Sequence, residues 1–146
     1  MQKPTIDPRH ARFRLTVKRS KIHRWGVFAA ERIPPRRKVI EYTGERISRR
    51  ETKRRAESRE GLHYIFTLDA YWNIDGSVGG SGAEYINHSC DPNLYAWNFK
   101  GHILYMSRRE IQPGEELTVD YHFGADEERV TCRCGAPNCR GVINVK

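Results

Sequence analysis

Residues 86–93 read Ile-Asn-His-Ser-Cys-Asp-Pro-Asn, and this turn-like stretch is the most informative part of the sequence. Asn87 and His88 offer side chains that could bind a polar ligand, although an ordinary turn could contain the same residues. Cys90 is the one cysteine that lies far from the C-terminus. The stretch therefore has to be interpreted together with the segments around it.

A group of three cysteines near the C-terminus is the strongest chemical signal. Cys132, Cys134 and Cys139 fall within eight residues of turn-rich sequence. Structural zinc sites take four nitrogen or sulfur ligands in a tetrahedron, and Cys90 is the cysteine that remains to complete such a set. The pattern predicts one zinc ion that fastens the C-terminal tail to the middle of the chain. Free thiols, or a histidine as the fourth ligand, are the alternatives.

Short strands dominate the pattern of apolar residues. Alternation and short apolar runs predict strands at 13–17, 39–42, 64–69, 94–99, 102–107 and 116–121. Ser48 and Glu51 form a capping-box pattern that opens a helix, and Gly61 is expected to close it. Apart from Ala56 this helix is polar all round. We therefore expect an exposed insertion whose basic side chains are solvated or touch a polyanion.

Charge is distributed unevenly along the 146 residues. Residues 1–60 carry a net charge of +12 and residues 61–146 a net charge of −4. The basic half favours contact with nucleic acid or forms a solvated surface, and the acidic half suits a cationic substrate. The longest apolar run has four residues, against about 20 for a membrane-spanning helix. We expect no membrane segment, no secretory signal and, in a reducing compartment, no disulfides.

Taken together, six segments resemble the SET-domain protein lysine methyltransferases that carry a post-SET tail. The likeness extends from about Ile22 to Asn144 and is most specific in residues 86–93 and in the cysteine tail, 132–141. The other segments are Ile-His-Arg-Trp-Gly-Val-Phe-Ala (22–29), Val-Ile-Glu-Tyr-Thr-Gly (39–44), Tyr-Ile-Phe-Thr-Leu-Asp (64–69) and Gly-Glu-Glu-Leu-Thr-Val-Asp-Tyr (114–121). One position departs from the family, because Arg24 stands where a Gly-x-Gly pattern often has its first glycine.

The resemblance implies a mainly β fold, the β-clip fold of SET domains. In that fold, small curved sheets surround a knot-like crossing at the Asn-His-Ser segment, with one short polar helix and a zinc-bound tail. It also implies three regions along the chain. These are an N-terminal extension over 1–12, a SET domain over 13–122 and a post-SET tail over 123–146.

The resemblance further assigns roles to single residues. Tyr121 and Tyr64 are implied as the catalytic residues, and Tyr121 corresponds to the catalytic tyrosine of the family. S-adenosylmethionine is implied as the methyl donor, with contacts from His23, Trp25, Gly26, Tyr64, Asn87, His88 and Arg133. Phe66 and Val119 are expected in the lysine channel. Val119 is smaller than the tyrosine or phenylalanine common there, so we predict methylation beyond monomethyl-lysine unless Phe66, Tyr95 or Trp97 fills the space.

The function that follows is methyl transfer to a lysine side chain of a protein, with a histone or histone-like basic tail as the usual target. Nucleic acid is a further expected partner, through the basic N-terminal half. A zinc-stapled module that binds nucleic acid or protein without methyl transfer is the alternative. Localisation depends on the host: chromatin in a eukaryotic nucleus, or the cytoplasm of a bacterium.

Overall fold

Short strands make up most of the fold in a computed structural model that describes residues 3–58, 64–121, 132 and 134–141. One helix, α1, spans Arg49–Ser58. The strands are β1 (Leu15–Arg19), β2 (Trp25–Ala29), β3 (Lys38–Tyr42), β4 (Glu45–Ser48), β5 (Ile65–Thr67), β6 (Trp72–Asp75), β7 (Asn87–His88), β8 (Leu94–Phe99), β9 (His102–Ser107) and β10 (Thr118–Val119). The predicted mainly β fold with one short helix is confirmed.

Four small sheets are formed by these strands. Two have three strands, in the orders β3-β9-β8 and β4-β6-β5, and all their pairs are antiparallel. β1 and β2 form an antiparallel hairpin. β7 and β10 form a parallel pair of only two residues each. Because each of these four sheets has only two or three strands, the sheets depend on packing against one another for stability.

A continuous apolar core joins the sheets. Its fully buried aliphatic side chains come from nearly every part of the described chain: Val27, Ile33, Val39, Ile40, Ile86, Leu94, Ile103, Ile111 and Leu117. The N-terminal region also packs on this unit, since the Asp7 amide donates to the Ser81 carbonyl at 2.8 Å and Ala11 bridges to Ile40. The division at residue 12 stays a prediction.

Helix α1 begins as the sequence predicts but is not a purely solvated insertion. The Ser48 hydroxyl accepts a hydrogen bond from the Glu51 amide at 3.1 Å, which confirms the predicted N-terminal cap. Arg55 is only 9% exposed, and its guanidinium donates to Asp75 at 2.7 Å and to Glu45 at 2.8 Å. The expectation of solvated basic side chains is wrong for this residue, because its charge is paired with two carboxylates of the adjacent sheet. Gly61, the predicted end of the helix, lies outside the described residues.

Hydrogen-bonded pairing between strands decides where the observed strands differ from the predicted ones. The predictions at 39–42, 94–99 and 102–107 match β3, β8 and β9 to within one residue. The prediction at 116–121 is too long, because the strand covers only Thr118 and Val119, while Glu116 forms an isolated bridge to Phe28 of β2. Strands β2, β4, β6 and β7 are new, and β4 and β6 carry too many polar residues to show an apolar pattern. Within the described residues no helix is long and apolar enough to cross a membrane.

Candidate active site

The parallel pair of β7 and β10 brings the predicted site residues together. Asn87 lies opposite Thr118, and His88 lies opposite Val119. The Tyr121 amide donates to His88 Nδ1 at 3.1 Å, and the two rings lie 5.4 Å apart. Residues more than 30 positions apart in sequence thus form one cluster, which is the contact that the expected crossing requires.

Tyr121 is held as a neutral hydrogen-bond donor. Its hydroxyl donates to the Ile86 carbonyl oxygen at 2.7 Å. Burial raises the pKa of Tyr121 well above its ordinary value, and the nearby Tyr64 and Glu116 add to the shift. The Tyr121 hydroxyl therefore stays protonated at physiological pH.

Asn87 fastens the turn between β1 and β2. Its side-chain amide donates to the carbonyl oxygens of His23 at 3.2 Å and Trp25 at 3.0 Å. Asn87 is buried, so these bonds form away from water and are correspondingly costly to lose. His23 and Trp25, which are predicted to bind the methyl donor, are thereby held beside β7. The Asn87 side chain makes these contacts with their backbone.

Glu116 is a functional candidate that the sequence interpretation missed. Its carboxylate accepts hydrogen bonds from Ser20 Oγ at 2.8 Å and Asn87 Nδ2 at 2.9 Å. A Cβ built on Gly26 would overlap Glu116 Oε2, so glycine is needed for the carboxylate to approach the hairpin. The only signal in the sequence was that Glu116 lies shortly before a buried strand. The sequence alone does not show that its carboxylate faces Gly26, 90 positions away.

Arg24 stands where the family pattern often has a glycine, and the turn between β1 and β2 is formed nevertheless. Its backbone has φ +39°, in the left-handed region where glycine carries no steric penalty. An arginine here accepts some backbone strain, on the order of 1 kcal/mol. The bonds from Asn87 to the neighbouring carbonyls hold the turn in place.

Tyr64 and Phe66 lie on and next to β5, and their side chains are half-buried. The Tyr64 ring packs against Tyr85 at 5.6 Å. The Phe66 ring packs against Tyr42 at 5.3 Å and Tyr105 at 6.2 Å. Tyr64 also lies close enough to raise the pKa of Tyr121. Phe66 packs in an aromatic cluster of the core.

A cavity of about 350 Å³ opens beside Val119. Its lining consists of Cys90, Pro92, Leu94, Tyr95, Ala96, Arg108, Val119 and Asp120. Among the three aromatic residues considered able to fill the space at Val119, Tyr95 is the one that shares this cavity. Phe66 and Trp97 do not line it. Of these three residues, Tyr95 therefore borders the space at Val119.

The four cysteines meet at one point, and their arrangement fits a zinc ion. Their sulfur atoms all lie within 4.8 Å of one another, with Cys90 and Cys132 Sγ 3.8 Å apart. Tetrahedral Zn–S bonds of about 2.3 Å place the sulfurs roughly 3.8 Å apart. The backbone amides of Arg140 and Gly141 also donate to Cys90 Sγ and Cys139 Sγ, at 3.3 and 3.4 Å. Such donors suit thiolates, so the donor set is that of a closed structural site.

The cysteine cluster is coupled directly to the tyrosine cluster. His88 Nε2 lies 3.5 Å from Cys90 Sγ, while its Nδ1 accepts from the Tyr121 amide. The Arg140 guanidinium donates to both Asp120 oxygens, at 2.9 and 3.2 Å. These contacts connect the tail to the end of β10. Arg133, the remaining predicted donor-binding residue, lies outside the described residues.

Comparisons with known proteins agree with this geometry. A family model described as "SET domain" matches residues 24–122. The histone-lysine N-methyltransferase set-2 of Caenorhabditis elegans is 40% identical over 86% of this chain and 9% of its own length. A histone-lysine N-methyltransferase, H3 lysine-4 specific, of Saccharomyces cerevisiae is 42% identical over 86% of this chain and 13% of its own length.

A solved structure is similar as well. It is described as KRYPTONITE in complex with mCHG DNA and SAH, and it superposes with a TM-score of 0.78 at 31% identity. The match covers 94% of this chain and 30% of that one. The chain thus spans only a small part of the relatives that it matches.

Proposed function

Because the chain belongs to the SET-domain family, we propose that it transfers methyl groups from S-adenosylmethionine to the side-chain amine of a lysine in a protein. The observation that carries this proposal is the convergence of Asn87, His88 and Tyr121 through the parallel β7–β10 pair. S-adenosylmethionine supplies an electrophilic methyl group on a sulfonium. His23, Trp25, Gly26, Tyr64, Asn87, His88 and Arg133 are the residues we propose for its site.

The acceptor nitrogen has to be neutral before it can attack a methyl group. Deprotonating a lysine of pKa about 10.4 at pH 7 costs about 4.6 kcal/mol. A dry channel lowers this cost, because burial disfavours the ammonium form. Tyr64 is half-buried and lies near Tyr121. We propose that it excludes water from the amine together with Phe66, whose ring packs in the neighbouring aromatic cluster.

Tyr121 is proposed to orient the amine and not to remove its proton. Its own hydrogen is engaged by the Ile86 carbonyl. The hydroxyl oxygen can therefore only accept from an N–H of the incoming amine, which turns the nitrogen lone pair away from the tyrosine. Correct alignment of this kind is a large part of the rate gain in displacement reactions.

A histone or histone-like protein is the proposed substrate. The relatives are named for activity on histones, and the half of this chain that holds Tyr121 has a net charge of −4. A basic tail is complementary to that charge. With this substrate the proposed place of action is chromatin, in the nucleus of a eukaryotic cell.

Nucleic acid contact through the basic half is proposed as a secondary property. Lys18 and Arg19 on β1 and Lys21 and Arg24 in the following turn are exposed. Their charges are held on a rigid hairpin, which suits contacts to phosphates. Alanine at these four positions is expected to weaken binding to duplex DNA and to flatten its salt dependence.

Methyl transfer to core histones, followed by mass spectrometry, tests the proposed function. We expect methyl-lysine with the parent protein and a loss of about 100-fold or more in turnover with Tyr121→Phe. Tyr71→Phe is the matched control, because Tyr71 is 76% exposed. Calorimetry should show unchanged affinity of Tyr121→Phe for S-adenosylmethionine. If the parent protein bound DNA but not S-adenosylmethionine, the alternative of a binding module without methyl transfer would replace this proposal.

A further inference from the structure

The outer face of the β3-β9-β8 sheet carries a row of exposed aromatic side chains. Tyr95, Trp97 and Phe99 alternate along β8, so all three project from the same face. Their exposed fractions are 40%, 48% and 44%. Large apolar side chains that are exposed together on one surface indicate an interaction site.

The register of the sheet extends this face onto the neighbouring strands. Trp97 lies opposite Leu104 and Tyr95 opposite Met106 on β9, and both partners are only half-buried. The alternate residues of β9, Ile103 and Tyr105, are buried in the core. The aromatic row is therefore the outer side of a sheet whose inner side is already packed.

Positive charges border the row. Lys100 Nζ lies 5.4 Å from the centroid of the Phe99 ring, and Lys38 projects from the same face opposite Met106. Arg108 stands at the other end, in the wall of the cavity that Tyr95 also lines. The carboxylate that the register places on this face, Glu41, is paired with His102 at 2.7 Å. The rim of the face is therefore cationic.

We propose that this face, termed the β8 aromatic face (Tyr95, Trp97 and Phe99 with Lys38, Lys100 and Arg108), binds single-stranded nucleic acid. Aromatic rings on a sheet provide stacking platforms for unpaired bases, and cations beside them contact the phosphates. Alternate residues of a strand are spaced by roughly 6.7 Å, so neighbouring rings can each receive a different base. A duplex cannot use this face in the same way, because its bases are already stacked on one another.

The proposal depends on neither the methyl donor nor a lysine substrate. It therefore stands apart from the proposed enzymatic function, and from the phosphate contacts proposed for the β1–β2 hairpin.

Fluorescence anisotropy with a labelled oligo-uridine of about 12 nucleotides tests the proposal, with a duplex of equal length as competitor. Trp97→Leu keeps an apolar side chain but removes the ring, so we expect at least about tenfold weaker binding. Trp97→Phe keeps a ring and should bind within about threefold of the parent. Lys100→Ala should weaken binding and reduce its salt dependence.

Matched controls separate the face from general charge and from misfolding. Tyr71→Leu removes a more exposed aromatic outside this sheet, and Lys53→Ala removes an exposed lysine on α1. Both should bind as the parent does, and all variants should keep its circular dichroism spectrum. Equal binding by Trp97→Leu, equal competition by the duplex, or no binding at about 100 µM protein in low salt would overturn the proposal. A dimer that Trp97→Leu dissociates, without oligonucleotide binding, would assign the face to a second copy of the chain and also overturn it.

Discussion

Replacing Glu116 by alanine tests whether its carboxylate holds the β1–β2 hairpin against the β7–β10 pair. The change removes the acceptor of two hydrogen bonds, from Ser20 Oγ and from Asn87 Nδ2. A hydrogen bond to a charged group contributes about 1.5–3 kcal/mol. Since the bonds are only partly buried, the lower value applies, and the total is about 3 kcal/mol.

A loss of that size should lower the melting temperature by about 6–12 °C for a chain of this length. Glu116→Gln is the conservative control. Its amide oxygen can still accept from Asn87 while its NH₂ group donates to Ser20 Oγ. We expect the melting temperature of Glu116→Gln to fall by about one third as much as that of Glu116→Ala. Thermal denaturation followed by circular dichroism measures both.

A double-mutant cycle with Gly26 makes the test specific. Gly26→Ala should destabilise the parent, because the new methyl group would overlap Glu116 Oε2. In the Glu116→Ala background, Gly26→Ala should lower the free energy of unfolding by clearly less. The coupling energy between the two substitutions should be about 1 kcal/mol or more. Calorimetry with S-adenosylmethionine should show about tenfold weaker binding for Glu116→Ala, if ordering the hairpin costs about 1.4 kcal/mol.

Additive effects of the two substitutions, or a Glu116→Ala protein that melts within about 2 °C of the parent, would refute the reasoning. In that case the hairpin would be held by the Asn87 bonds to the carbonyls of His23 and Trp25, together with the backbone hydrogen bonds between β2 and residues 115–117. Asn87→Ala would then show the larger effect.

Three further outcomes are expected. Metal analysis should find one zinc per chain, and Cys132→Ser should lose the metal and the activity together because metal binding and local folding are linked; active protein with far less than one zinc would contradict this. Val119→Tyr should stop methylation at one methyl group where the parent continues, as read by mass spectrometry of the product; a parent already stalled at monomethyl-lysine would mean that Tyr95 closes the space. Hydrogen bonds from Arg54 and Arg55 lower the pKa of Glu51 to about 2 from 4.5, so its contribution to stability is present above pH 4.5 and lost as the pH falls toward 2. Glu51→Gln should therefore melt lower at pH 7 and show a smaller loss between pH 5 and pH 2 than Glu57→Gln, a control on the same helix, as measured by acid titration of the melting temperature.

The sequence was most informative where function depends on residue identity. The cysteines have few equivalent substitutes, so their pattern alone indicated the zinc site, whereas the crossing at the Asn-His-Ser segment followed from the family resemblance. The structure brings Asn87, His88 and Tyr121 into one cluster. Their individual roles toward the methyl donor stay predictions.

Roles that arise from tertiary packing could not be predicted in the same way. Glu116 and Arg55 look like ordinary charged residues, and their importance depends on partners that lie far away in sequence or on another element. β4 and β6 escaped detection because pairing within the β4-β6-β5 sheet, and not an apolar pattern, makes them strands. The β8 aromatic face shows a different limit, because the residue pattern predicted the strand correctly without showing that the face bearing Tyr95, Trp97 and Phe99 is exposed.

The two-residue parallel pair at the centre of the molecule also governs how the protein can fold. A pair of that length has too few hydrogen bonds to persist alone, and it joins segments that are separated by about thirty residues. The hydrogen bond from Ser20 to Glu116, next to this pair, spans an even longer stretch of 96 positions. Such distant contacts are slow to form, so we expect the hairpins to appear early and the centre last. A chain that lacks residues 116–121 cannot form the parallel pair with Asn87 and His88, so we expect the proposed site to assemble only after these residues have been synthesised.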